Sequence, residues 1–130
     1  MTLPDYLSHA ARRPFEYGRF DCLLYLADWV KARHGFDPAA QWRGRYDTAE
    51  AAQSLIETYD GLYGLVAAGL EGHIDPRQGP ARPGDIAIVM PGRGHVPCGA
   101  ILGGIGWAVL NRTGGLWFGP HKPLKIWAVA

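Results

Sequence analysis

The chain changes character once, and that change restricts its fold more than any other feature. Up to about residue 72, apolar residues recur at three- and four-residue spacing, the signature of helices with a buried face. From about residue 84 they come in short runs bounded by glycine, at 86–90, 96–102, 107–111, 116–118 and 124–129. Short strands joined by glycine turns predict an antiparallel meander. Helices first and strands afterwards predict an α+β class. Residues 71–83, with Pro76, Pro80 and Pro83, connect the two halves. A length of 130 residues suits one hydrophobic core, so residues 1–130 read as a single domain.

Within the helical half, capping residues mark the starts. Thr2 caps a helix that runs to Arg13 and is ended by Pro14. Asp21 is an N-cap residue for a second helix, from Cys22 to about His34, with Gly35 as its C-cap. Leu26, Trp29 and Val30 form its core stripe, while Asp28, Lys31 and Arg33 face water. Asp37-Pro38 opens another helical turn. Asp47 or Thr48 caps a helix to about Tyr59, and residues 62–70 give a further short one.

Composition removes several classes of function. Apolar residues at 48% and charged residues at 19% describe a globular chain. A formal charge of +1 gives no electrostatic case for nucleic acid or an anionic membrane. No apolar run approaches the ~18 residues of a membrane span, and the N-terminus lacks a signal-peptide core. The expectation is therefore synthesis in a cytoplasm without a signal peptide. Cys22 and Cys98 make no disulfide scaffold, and no Cys-x-x-Cys or His-x-x-x-His spacing suggests a metal, so no cofactor is expected.

One residue has a position suited to nucleophilic chemistry. Cys22 falls in the first turn of its helix, where unpaired N–H groups and the helix dipole favour a thiolate. The alternative is a small buried core cysteine. A working nucleophile also needs a base and a polar group to orient that base. Cys98 alternates with His95 and Pro97 along its strand, so it should point away from them, buried and inert. Trp42, Arg43, Arg45 and Tyr46 form an aromatic and basic loop that suits either a bound carboxylate or sugar or, as is favoured here, docking of the domain to a neighbour.

Tyr17-Gly18 followed by Phe20-Asp21-Cys22 resembles the nucleophile motif of the NlpC-type cell-wall peptidases, which are papain-like cysteine hydrolases. The run from Arg82 through Pro83-Gly84-Asp85 to Val89 resembles the strand before that family's histidine. Gly99-Ala100-Ile101-Leu102-Gly103 resembles the strand after it. Residues 42–48 are similar to a subgroup encoded in phage tail regions and prophages. The resemblance implies a papain-like fold with Cys22 as nucleophile and the Cys22 N–H in an oxyanion hole. It further implies His95 as base, Asn111 or His121 as orienter, and Tyr17 and Asp21 as substrate contacts.

Aligned on Gly99–Gly103, the family's histidine column falls on Pro97 and its third position on Val109. His95 and Asn111 each lie two residues away, with the same strand parity. The family's serine after the cysteine is Leu23 here. A surface turn remains the other reading for His95, and an exposed loop for His121. Three functions follow from the resemblance. One is a phage tail-tip or baseplate hydrolase acting on peptidoglycan stem peptides during cell entry. Another is a structural or assembly protein of the tail tip that keeps the fold without the activity. The third is a papain-like acyltransferase.

Overall fold

The computed structural model describes residues 1–91 and 96–130. Among these residues, helices α1 (Leu3–Arg12), α2 (Cys22–His34), α3 (Ala49–Thr58) and α4 (Leu62–Leu70) precede the strands. The strands are β1 (Ile86–Val89), β2 (Cys98–Gly103), β3 (Gly106–Leu110), β4 (Leu116–Gly119) and β5 (Pro123–Trp127). The order is α+β, as the sequence predicts. The caps act as read: Thr2 Oγ1 accepts from the Asp5 N–H at 3.2 Å, and Thr48 Oγ1 from the Ala51 N–H at 3.1 Å. Asp37-Pro38, by contrast, opens a succession of turns and no helix; Asp37 Oδ1 accepts from the Ala39 N–H at 3.0 Å.

The sheet is antiparallel, with spatial order β4-β3-β2-β1-β5. Its first four strands form the expected meander. The fifth departs from it and returns to pair with β1 at the far edge. Only residues 120–122 join the two edge strands. From Gly119 to Pro123 an extended chain reaches at most about 14 Å, whereas five flat strands would hold the edges about 19 Å apart. The sheet therefore curls, edge towards edge. One face carries Ala87, Val89, Ala100, Trp107 and Val109, and the other presents Ile86, Ile88, Ile101 and Leu110 to the main core. Burial on both faces is why β1 reads as an unbroken apolar run.

Helix α2 lies in the middle. Leu23 to Ala27, Trp29 and Val30 are all buried, which is more than the single stripe expected, because structure covers the helix on several sides. Tyr25 donates its hydroxyl to the Ala108 carbonyl of β3 at 2.9 Å, and Trp29 its Nε1–H to the Gly84 carbonyl at 2.8 Å. Tyr6 of α1 donates to the Tyr25 carbonyl at 2.5 Å. Asp28, expected in water, instead pairs with Arg13 at 3.2 Å and Arg43 at 2.8 Å. Gly99 of β2 is what lets the helix settle onto the sheet. A Cβ there would stand 2.6 Å from Leu26 Cδ1 and 3.0 Å from the Cys22 carbonyl oxygen.

The expected docking loop is part of this core. Trp42 and Tyr46 are buried, with Trp42 edge-on to Tyr59 at 5.3 Å between ring centroids. Arg43 is held by Asp37 and Asp28. Of the four residues only Arg45 is exposed. Aromatic and arginine side chains cluster here because they close the space beside α2, so the loop is corrected from an exposed contact surface to packing.

A second polar knot fixes the connection between the halves. Asp85 is fully buried and accepts from Arg77 through both oxygens at 2.9 Å. It also accepts from the backbone N–H groups of Arg82 at 2.8 Å and Ala130 at 3.0 Å. Burial alone would raise its carboxyl, but these donors together hold it below the ordinary carboxylate value. No helix among the described residues is long and apolar enough to cross a membrane.

Candidate functional site

The start of α2 is built by one carboxylate. Asp21 Oδ1 accepts from the N–H groups of Leu23 at 3.1 Å and Leu24 at 2.9 Å, which caps the helix. Its Oδ2 accepts from the Gly18 N–H at 2.9 Å and the Tyr46 hydroxyl at 2.5 Å. Gly18 has φ of +81°, and a Cβ there would collide with the Tyr46 carbonyl. The Tyr17-Gly18…Asp21-Cys22 motif is thus a closed turn, locked from outside by Tyr46. Burial first, and then the Asp21 charge, push the Tyr46 phenol up, so it remains a donor. Asp21, named from the resemblance as a substrate contact, is buried with both oxygens engaged internally. Its geometry is that of a positioning residue.

Cys22 follows this cap and faces a cleft of about 950 Å³. Tyr17 and Asn111 line the same cleft, as do Cys98, Arg112 and Trp117. Residues 49–57 of the α3 region form one wall, and residues 96–98 and 109–112 border the sheet side. Three of the expected site residues, Cys22, Tyr17 and Asn111, therefore share one opening. His95 lies outside the described residues, while its neighbours Val96 and Pro97 line the cleft. His121 sits on the connection from β4 to β5, edge-on to Trp117 at 4.9 Å, with its Nε2 buried and unpartnered. It is not among the residues lining the cleft.

The electrostatics of Cys22 differ from the expectation. The thiol is pushed up to about 12, by burial first, then by the neighbouring Cys98 and the Asp21 carboxylate. Arg112 and the residue's own amide work the other way. The reason is local. The first-turn donors that would favour a thiolate already serve Asp21, whose negative charge stands next to the sulfur. These influences together favour the neutral thiol. The Cys22 N–H is left over: among the described residues no other group accepts from it. Nor does any hydrogen bond among the described residues engage the Asn111 amide, while the Asn111 backbone closes the β3–β4 turn with Gly114 and Gly115.

Cys98 shares a sheet face with Val89 and Ala100, opposite to Gly99, while Pro97, expected to point the other way, lines the same cleft. Cys98 is half-buried, lines the cleft and influences the Cys22 thiol. Arg112 and Trp117 escaped the sequence reading, and Tyr46 reads there as part of a contact loop and not as the partner of Asp21. Arg112 had one available signal, since it directly follows Asn111 in a glycine turn. Tyr46 had none, because its partner lies 25 residues away.

A family described as a domain of unknown function (DUF6950) matches residues 1–129. The chain belongs to that family. No curated protein matches it, and no solved structure matches it. In this DUF6950 domain, the described residues gather no group of three or more His, Cys, Asp or Glu that could hold a metal ion.

Proposed function

We propose that this domain is an NlpC-like cysteine hydrolase that cleaves amide bonds in peptidoglycan stem peptides. The observation that supports this best is the placement of Cys22. A thiol at a capped helix start opens onto a cleft of about 950 Å³ that Tyr17 and Asn111 also line. Clefts of roughly 300–1,000 Å³ suit small-molecule or peptide-sized ligands.

Because the thiol rests neutral, it requires a base at the moment of attack. In the proposed reaction His95 takes the Sγ proton as the sulfur bonds to the amide carbonyl carbon. The Cys22 N–H meets the developing oxyanion. His95 then passes the proton to the leaving nitrogen, the C–N bond breaks, and a thioester remains on Cys22. Water attacks the thioester, giving up a proton through His95, and releases the acid and the free thiol. Asn111 orients the imidazole.

The resemblance of residues 42–48 to tail-region proteins supports a place at a phage tail tip. There the domain, made in the host cytoplasm and carried in the virion, would open the wall during entry. Contacts with other tail proteins then fall to surfaces other than the buried Trp42 and Tyr46. A second reading, a tail-tip structural protein that has lost activity, is favoured by the raised Cys22 thiol.

Purified protein incubated with isolated peptidoglycan separates the two. The hydrolase reading expects new free amino groups with the native chain and none with Cys22→Ala. Unchanged peptidoglycan in both cases would leave the structural reading in its place.

A further inference from the structure

Arg112 occupies an unusual position for a surface arginine. The β3–β4 turn that carries it is closed by two hydrogen bonds: Asn111 N–H to the Gly115 carbonyl at 2.9 Å, and Gly114 N–H to the Asn111 carbonyl at 3.1 Å. The guanidinium therefore projects from a fixed base. It is exposed, it lines the cleft, and it makes no ion pair among the described residues. Cys22 and Cys98 line the same cleft, and the Arg112 charge draws both thiols down.

Two further features give this position a direction. Trp117, 45% exposed, lines the same cleft from strand β4 and offers it an apolar face. Across the opening, Glu50 and Glu57 line the α3 wall. An anionic group entering the cleft is repelled by that wall and attracted to the Arg112 side. A planar guanidinium with free donors matches a carboxylate through two parallel hydrogen bonds.

We propose that Arg112 and Trp117 form a carboxylate-recognition subsite, so that the ligand of this cleft is a short peptide bearing a free carboxylate close to the bond presented to Cys22. The proposal names the substrate class of the hydrolase read above and rests on it for the word substrate. The binding claim itself needs no catalysis.

The tryptophans supply a readout. Trp29, Trp42, Trp107 and Trp127 are all buried, so Trp117 is the one tryptophan that a cleft ligand or an added quencher reaches directly. The experiment titrates the Cys22→Ala protein, in which no cleavage occurs, with three probes followed by tryptophan fluorescence. They are N-acetyl-trialanine, its C-terminal amide, and N-acetyl-Ala-Glu-Ala amide. The expected result is saturable binding of at least one carboxylate-bearing peptide and weaker binding of the neutral amide. The first and third probes separate a terminal from a side-chain carboxylate.

Adding Arg112→Gln should weaken the preferred peptide about 10- to 100-fold, as for loss of a charge-assisted hydrogen-bond pair. Arg112→Lys should restore part of it. Equal binding of carboxylate and amide, no saturable binding of any probe, or affinity unchanged in Arg112→Gln overturns the proposal. Failure of the two readings looks different. Peptide binding without cleavage by the native protein counts against the hydrolase, whereas cleavage indifferent to Arg112 counts against the subsite.

Discussion

Tyr46 donates its hydroxyl to Asp21 at 2.5 Å, so a loop 25 residues downstream holds the carboxylate that starts the cysteine helix. The bond ties the turn before Cys22 to the turns packed against α2. Replacing Tyr46 with phenylalanine keeps the ring and removes only the donor. Asp21 Oδ2 then retains the Gly18 N–H alone. The expected cost is about 1–3 kcal/mol, the range for leaving a buried polar group short of a partner. Urea unfolding of Tyr46→Phe measures it, and an unchanged midpoint would mean that the bond is dispensable.

Trp29 tests the packing of α2 on the rest of the fold. It is 3% exposed and donates to the Gly84 carbonyl where the chain enters β1. Trp29→Ala removes the ring and the bond together. A loss of about 3–5 kcal/mol is expected, as for other large-to-small core changes. Chemical denaturation reads this directly.

Asp85 sets an acid limit. Its folded carboxyl is held below the ordinary value by Arg77 and two backbone donors, so folding favours the ionised form. That contribution is complete above the unfolded value of about 3.9 and is lost as pH falls through the lower folded value. Stability should therefore drop on acidification below about pH 5, where unfolded carboxylates begin to take up protons. Asp85→Asn should be less stable at neutral pH and should show a shallower acid limb in melts between pH 2 and 7. An acid limb as steep as that of the native chain would assign the effect to other carboxylates.

The two cysteines should titrate in a definite order. Both thiols are raised by burial, with Cys22 pushed up to about 12 and Cys98 moved less. Burial favours the neutral form, so the Cys98 thiolate appears first as pH rises. Brief iodoacetamide pulses from pH 7 to 10, followed by peptide mapping, should label Cys98 ahead of Cys22. Labelling of Cys22 first at pH 7 would instead reveal a preformed thiolate, and the general-base step proposed for His95 would be wrong.

Much of this architecture is legible in the sequence because its signals are local. Asp21 and Gly35 bracket α2, Thr2 and Thr48 start their helices, and glycine pairs mark the β2–β3 and β3–β4 turns. What was not legible depends on partners distant in the chain. Residues 42–46 look like a surface by composition, yet Arg43 is paired with Asp28 from α2 and Tyr46 donates its hydroxyl to Asp21. β5 looks like the next strand of a meander, yet its register is with β1. At the site, the position of Cys22 was readable but its protonation was not. The side chain that caps the helix also takes the N–H groups that would have favoured the thiolate.

The central claim is that Cys22 carries the acyl group of a cleaved peptide. Intact-mass spectrometry of the protein quenched in acid during incubation with soluble stem peptides tests it most directly. The account predicts a transient mass increase equal to the acyl fragment, located on Cys22 by peptide mapping, removed by hydroxylamine and absent from Cys22→Ala. Peptide cleavage that proceeds equally well in Cys22→Ala, or a native chain that neither cleaves nor acquires the adduct, would contradict it.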